Sequence, residues 1–213
     1  MKWKKEKDQK RKEGLFIVCE GLDGAGKTTT IKEFLKKQYG AADNYTYSKG
    51  LKSNTFMGRI AARKPSTFSF LLELAYVTQT IVKPNLRKNR TVMQDRYYLS
   101  VLSYNPDKIK WNDKLAYFLV KPLIKKPDVV VYFKVDLEER IRRLKMGSEN
   151  RYHSLLIKNP GLVYEREKSY LQLLDNLDCR KAIIDTSKMS IDSAVAALEA
   201  AIGLPSRIGG GAH

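Results

Sequence analysis

The sequence predicts an α/β fold: a three-layer sandwich with a five-stranded parallel sheet between helices. Three observations predict it. Short β-branched or aromatic runs alternate with longer amphipathic stretches, without internal repeats. Three of the five short runs are apolar enough to be covered on both faces, as strands of a parallel sheet are. Pro65, Pro106, Pro127 and Pro160 all fall between elements. With 213 residues, 43% of them hydrophobic and 30% charged, the chain can bury one full-sized core.

In chain order, residues 1–13 hold seven basic and three acidic residues and one large apolar side chain, Trp3, and read as a solvated, disordered basic tail. The strands are Leu15 to Cys19, Tyr45 to Ser48, Thr91 to Gln94, Val129 to Phe133 and Ala182 to Ile184; the first, third and fourth are the doubly covered ones. The helices are Lys27 to Gln38, Thr67 to Leu86, Tyr97 to Tyr104, Trp111 to Lys125, Leu137 to Met146, Leu162 to Asp175 and Ile191 to Ile202. In the long second helix, Phe68, Phe70, Leu71, Leu74, Tyr76, Val77 and Ile81 cover more than one face. That pattern fits a core element alone, or one that also makes a subunit contact. Residues 205–213 are glycine-rich and read as a flexible terminus, either native or partly vector-derived.

Forty Lys and Arg against 23 Asp and Glu give a net charge of +17, which suits a phosphate-rich partner: nucleic acid, membrane or small nucleotide. No apolar run approaches the roughly 20 residues that span a bilayer, and the first 14 residues lack a secretory core, so a cytoplasmic location is expected. Cys19 lies in an apolar run and Cys179 far downstream, which gives neither a metal pair nor a disulfide framework.

Directly after the first strand, Gly21 to Thr28 reads GLDGAGKT and satisfies G-x-x-x-x-G-K-[ST], with a helix pattern following. The glycines let the backbone turn its N–H groups inward, and the next helix adds its partial positive charge. This is the signature of a P-loop NTPase. Lys27 is expected on the β and γ phosphates of the nucleotide and the Thr28 hydroxyl on magnesium.

The third strand ends in Asp95-Arg96-Tyr97. Asp95 there could organise magnesium while Arg96 forks onto a second phosphate, or the two could form a weak surface ion pair. A basic cluster, Arg140, Arg142, Arg143, Lys145 and Arg151, reads either as a mobile lid or as a solvated helix face.

FIVCEGLDGAGKTTT, QDRYYLSVLSYN, KPDVVVYFKVD and IIDTS together resemble the thymidylate kinase family of nucleoside monophosphate kinases, over about Gly14 to Ile202. The resemblance implies one kinase domain over 14–204 with a lid at about 142–158, an ATP donor with Mg2+, and a deoxynucleoside monophosphate acceptor, most directly dTMP. It also implies a homodimer through the long second helix. It places Gly21, Leu22, Asp23, Gly24, Ala25, Gly26, Lys27, Thr28 and Thr29 on the donor phosphates, and Asp185, Thr186 and Ser187 beside the adenine. Asp23 and Asp95 support the metal and the acceptor side, Arg96 holds the acceptor phosphate, and Ser100 belongs with it. Tyr104 packs on the deoxyribose. Because the loop has Gly24 where other members have arginine, the missing cation falls to the lid, with Arg142 and Arg151 as its sources.

The sequence also departs from the family pattern. Ser48, Lys49 and Gly50 replace an Arg-Glu-Pro type element, so only Lys49 remains to meet an acceptor phosphate. Glu73 and Val77 align where a thymine-stacking aromatic and a thymine-bonding arginine belong, unless the register shifts to Phe70; Gln79 is retained. Two rivals follow. One is a kinase of the same fold whose acceptor is a different nucleotide, a nucleoside or another small molecule, with Glu73 as proton acceptor for a hydroxyl. The other is a nucleic-acid-dependent ATPase, against which stands the scatter of the basic residues over many segments. A guanine-reading Asn-Lys-x-Asp segment does not occur.

Overall fold

The computed structural model describes residues 14–38, 42–51, 53–103, 111–146 and 157–203. Five strands, β1 (Phe16–Glu20), β2 (Tyr45–Lys49), β3 (Thr91–Asp95), β4 (Val129–Lys134) and β5 (Arg180–Asp185), form one parallel sheet in the order β2-β3-β1-β4-β5. The reversal of winding at β1 opens a crevice beyond the carboxyl ends of β1 and β3, where ligands bind in open α/β sheets.

Side chains alternate across the strands, so each central strand feeds two cores. Phe16 and Val18 of β1 and Val130 and Tyr132 of β4 point to one core. Ile17, Cys19, Val131 and Phe133 point to the other. The second core is closed by α1 (Lys27–Lys37) and the C-terminal helix Ile191–Ile202, which pack on each other and bury Ile31, Phe34, Val195 and Leu198. The first is closed by α3 (Thr67–Val77), α5 (Tyr98–Ser103), α6 (Trp111–Val120) and α8 (Pro160–Asp175), with α2 (Phe56–Arg63) packed on α3. Between them in sequence lie α4 (Lys83–Arg87) and α7 (Leu137–Met146); the C-terminal helix is α9. Burial on both faces explains why β1, β3 and β4 read as apolar runs, while edge strands β2 and β5 carry more exposed positions.

Four elements differ from the sequence expectation. α2 was missed: its signal is one N-cap, Thr55, whose hydroxyl accepts the Gly58 N–H at 3.1 Å, followed by a glycine that weakens the pattern. The long helix is instead α3, a π turn over Thr78–Val82, and α4; Pro84 lies just past the wide turn. α6 stops at Val120 and gives way to a single 3₁₀ turn over Lys121–Leu123, which contains Pro122. α8 begins two residues early, with Pro160 at its first position, where the absent N–H costs nothing.

Candidate active site

Gly24 and Gly26 take φ of 83° and 82°, the left-handed region that favours glycine, and so wrap the loop around the start of α1. A Cβ on Gly24 would also press against the Arg140 side chain. Lys27 is almost fully buried under the loop, where its Nζ donates to the Leu22 carbonyl at 2.9 Å. Burial pushes its pKa down to about 8; the Arg96 guanidinium adds to the shift, and Asp95, Asp23 and Glu20 oppose it. The lysine is thus held against the loop, where an arriving phosphate would restore full protonation.

The carboxyl end of β3 meets this loop directly. The Thr28 hydroxyl donates to Asp95 Oδ2, which also accepts from the Tyr47 hydroxyl at 3.3 Å. Arg96 pairs with Asp23, and its Nη1 donates to Ser100 Oγ at 3.4 Å. Arg96 itself has φ 72°, unusual for a residue with a Cβ. Gly50 is required beside it: any Cβ there would collide with the Arg96 carbonyl, while the Gly50 N–H donates to the Asp95 carbonyl at 2.9 Å.

The third wall is α7. Buried Arg140 donates to the carbonyls of Asp23 and Val135, both at 3.1 Å. Arg143 donates to the Gly24 carbonyl at 3.3 Å, to Thr186 Oγ1 at 3.0 Å and to the Thr186 carbonyl at 2.7 Å, joining the phosphate loop to the turn after β5. Glu139 bonds both Arg142 and Arg143, and hydrogen bonds from these two hold its carboxyl down at about 2. Thr186 in turn donates to the Ala25 and Lys134 carbonyls at 3.2 Å.

These walls line an open cavity of about 820 Å³, within the size range of small-molecule sites. Its lining brings together Asp23, Gly24, Gly26, Lys27, Thr28 and Thr29 from the loop, Lys49, Asp95 and Arg96 from the sheet ends, and Arg142 from α7. Leu22 and Ala25 are buried and, like Gly21, are not part of the lining. Of the turn after β5, Thr186 lines the cavity. Asp185 and Ser187 knit the turn instead: the Ser187 N–H donates to Asp185 at 3.0 Å, and Ser187 Oγ accepts the Asp136 N–H at 2.8 Å.

Glu73 and Val77 are not part of this lining. Val77 is core. Glu73 is fully buried, and its Oε1 accepts the Ser53 N–H at 2.6 Å and the Ser53 hydroxyl at 2.7 Å, holding the loop that leads into α2. Gln79 donates to the Leu123 carbonyl at 2.5 Å. Tyr104, Arg151 and residues 147–156 of the lid lie outside the described residues, as do the basic tail and residues 204–213.

Sequence reasoning missed the apolar and bridging members of the site. Met146, Met189, Ile191 and Ala194 line the cavity beside Thr186 and offer a face for a planar base. Arg143 was noticed only as part of a basic cluster; its spacing of three from Arg140 places both on the loop-facing side of α7 and could have singled it out. Glu20, ending β1, is buried, and desolvation raises its carboxyl to about 7 against the hydrogen bonds of Ser100 and Tyr97 and the field of Arg96.

A model of the thymidylate kinase family matches residues 19–197. A Methanocaldococcus jannaschii protein described as a probable thymidylate kinase is 28% identical over 189 residues, covering 84% of this chain and 91% of its own. A thymidylate kinase of Nautilia profundicola is 27% identical over 186 residues, covering 82% and 90%. Among solved structures, thymidylate kinase from Candida albicans superposes with a TM-score of 0.70 at 22% identity, over 90% of this chain and 92% of that one. The Ehrlichia chaffeensis thymidylate kinase gives 0.58 at 21%, over 90% and 100%. With its phosphate loop, its Asp95-Arg96 strand end and most of its length inside that family model, this chain belongs to the thymidylate kinase family.

Proposed function

We propose that this protein is an ATP-dependent dTMP kinase that moves the γ-phosphoryl group of ATP to the phosphate of dTMP, giving dTDP. One observation carries the reading: Lys27 and Thr28 of the phosphate loop share a cavity with Asp95 and Arg96, and two side-chain pairs, Thr28 with Asp95 and Asp23 with Arg96, join the two segments. ATP lies with its phosphates on the loop and Lys27, and its base between Thr186 and the apolar group Met146, Met189, Ile191 and Ala194. The acceptor phosphate lies on Arg96, which turns from Asp23 to meet it, with Lys49 as a second cation. That phosphate is already ionised, so positioning and charge neutralisation supply the rate and no strong base is needed.

Lys27 stabilises the oxygens of the transferring group, joined by Arg142 from α7 and, on the family resemblance alone, Arg151. Tyr104 is carried as the sugar neighbour and residues 14–204 as one kinase domain on the same ground. The donor set also fits a divalent cation of the magnesium kind, which usually takes one or two carboxylates and fills its shell with phosphate and water. Thr28 and Asp95 would hold it, and it would neutralise phosphate charge. Among the described residues no cluster of three or more His, Cys, Asp or Glu side chains could hold a metal without the nucleotide.

The rival hydroxyl-phosphorylating reading needs a carboxylate at the acceptor, and Glu73 is spent on Ser53. Dimerisation is supported by an apolar face: Phe68 and Tyr76 on α3 and Leu115, Phe118 and Leu119 on the adjoining α6 are all exposed. Light scattering should give twice the chain mass. We place the reaction in the cytoplasm, with the nucleotide pool it uses; no helix among the described residues is long and apolar enough to cross a membrane.

A panel of deoxy- and ribonucleoside monophosphates with ATP, followed by ADP release, tests the function. The highest kcat/KM is expected for dTMP. Release with none of them refutes the kinase reading, and release with another acceptor but not dTMP refutes the substrate.

A further inference from the structure

Glu20 closes β1 and is fully buried beside the cavity, yet no step of the transfer described above uses its carboxylate. Its Oε1 accepts the N–H groups of Tyr97 at 2.9 Å and Ser100 at 3.2 Å. Oε2 accepts the Ser100 hydroxyl at 2.6 Å and the Tyr170 hydroxyl of α8 at 3.4 Å, and that tyrosine also lies 2.7 Å from Ser100 Oγ. The Tyr97 N–H, just before α5, has no acceptor within that helix, while the Ser100 N–H, in its first turn, is shared between Glu20 and the Tyr97 carbonyl at 3.1 Å.

Arg96 lies between these ties. Its own N–H donates to the carbonyl of Cys19 at 3.0 Å, and the next N–H, of Tyr97, donates to Glu20. Two consecutive residues of β1 therefore hold the backbone on either side of an arginine at φ 72°. For a residue with a Cβ that conformation is unfavourable and persists only where the surroundings enforce it. Gly50, packed without a Cβ against the Arg96 carbonyl, blocks displacement on the other side.

We propose that Glu20 is a positioning residue for the acceptor: by accepting the Tyr97 and Ser100 N–H groups it holds the Arg96 backbone left-handed and aims the guanidinium at the acceptor phosphate. This rests on Arg96 being the acceptor-binding cation. The donor side is held by other hydrogen bonds, those of Arg140 and Arg143 to the phosphate loop and Thr186, and Glu20 reaches it only through its field on Lys27. A buried carboxylate that served stability alone would not distinguish the two substrates.

The test is steady-state kinetics with dTMP and ATP varied in turn, for wild type, Glu20→Ala, Glu20→Gln and Arg96→Ala, with folding followed by circular dichroism. Glu20→Ala should raise the KM for dTMP at least about tenfold, the worth of one charged hydrogen bond, and leave that for ATP within about twofold. Glu20→Gln, whose amide oxygen accepts the same two N–H groups, should stay within about threefold of wild type in both. If Glu20→Ala does not fold, Glu20→Asp, which withdraws the carboxylate by one methylene, must show the same split. An unchanged KM for dTMP, or equal changes for both substrates, overturns the proposal. If Arg96→Ala raises the KM for dTMP and the Glu20 variants do not, only the positioning role fails; if Arg96→Ala leaves it unchanged, the assignment of Arg96 fails first.

Discussion

On the proposed function the cavity has a donor half and an acceptor half, and the two are built differently. The donor half is a single contiguous loop, shaped by glycines and fastened from behind by Arg140 and Arg143, with the turn at Thr186 closing it. The acceptor half is lined by Lys49, Asp95 and Arg96 from two strand ends, with Gly50 and buried Ser100 packed behind Arg96, and it depends on a buried carboxylate at the end of a third strand. Phosphate that is always the same can be read by backbone N–H groups encoded in one stretch. An acceptor must be gripped by side chains, whose aim is set by whatever packs behind them.

Four perturbations sharpen that contrast. The largest falls on the donor half. Lys27→Ala should lower kcat by about 10³-fold, the scale of losing one charge-stabilising donor in a closed site, with the fold retained in circular dichroism. A loss seen only in the KM for ATP would mean the lysine binds without aiding transfer.

Next is the acid behind the acceptor half. Glu20 has its folded pKa raised from 4.5 to about 7, so its proton stabilises the fold below pH 4.5, and that contribution is lost as pH rises through 7. The groups facing it are the hydroxyls of Ser100 and Tyr170, the N–H groups of Tyr97 and Ser100, and the field of Arg96. The lost contribution is about 3 kcal/mol. Glu20→Gln has no such term, so its Tm should gain on wild type by roughly 5–10 °C between pH 5 and pH 8. Parallel melting curves over that range would place the carboxyl near its ordinary value.

Arg96→Ala should raise the KM for dTMP by about 10–100-fold, the worth of a charge-assisted hydrogen bond or two, and leave that for ATP nearly unchanged. Equal effects on both substrates would erase the division between the halves. The smallest effect is expected where a carboxylate lies near the acceptor half without belonging to it. Glu73→Ala leaves the Ser53 N–H and hydroxyl without their buried acceptor and should cost about 2 kcal/mol in denaturant unfolding, with kcat/KM within a few-fold of wild type. Abolished turnover in a folded Glu73 variant would return that residue to the site.

This contrast also marks what the sequence discloses. Sheet, strand sequence and phosphate loop were legible, because doubly buried strands and a glycine loop leave contiguous traces at Phe16–Glu20, Val129–Lys134 and Gly21–Thr28. The placement of Asp95 and Arg96 beside the loop was legible because they end a doubly covered strand. The roles of Glu20 and Arg143 were not legible, because each acts through partners more than 40 residues away. Glu73 illustrates the reverse: alignment put an acid at the acceptor surface, while its rotation on α3 turned it to Ser53, a contact across 20 residues that spacing alone does not reveal. The apolar group at Met189, Ile191 and Ala194 is hidden for another reason: its residues straddle the start of α9, half loop and half helix, and follow neither period.

The most direct measurement follows the phosphoryl group itself. Incubated with dTMP and ATP labelled in the γ position, the protein should move the label into dTDP with one ADP formed for each dTDP, and Lys27→Ala should stop it. Label released only as inorganic phosphate, or left in ATP by folded wild-type protein, would contradict a site built to join these two phosphates.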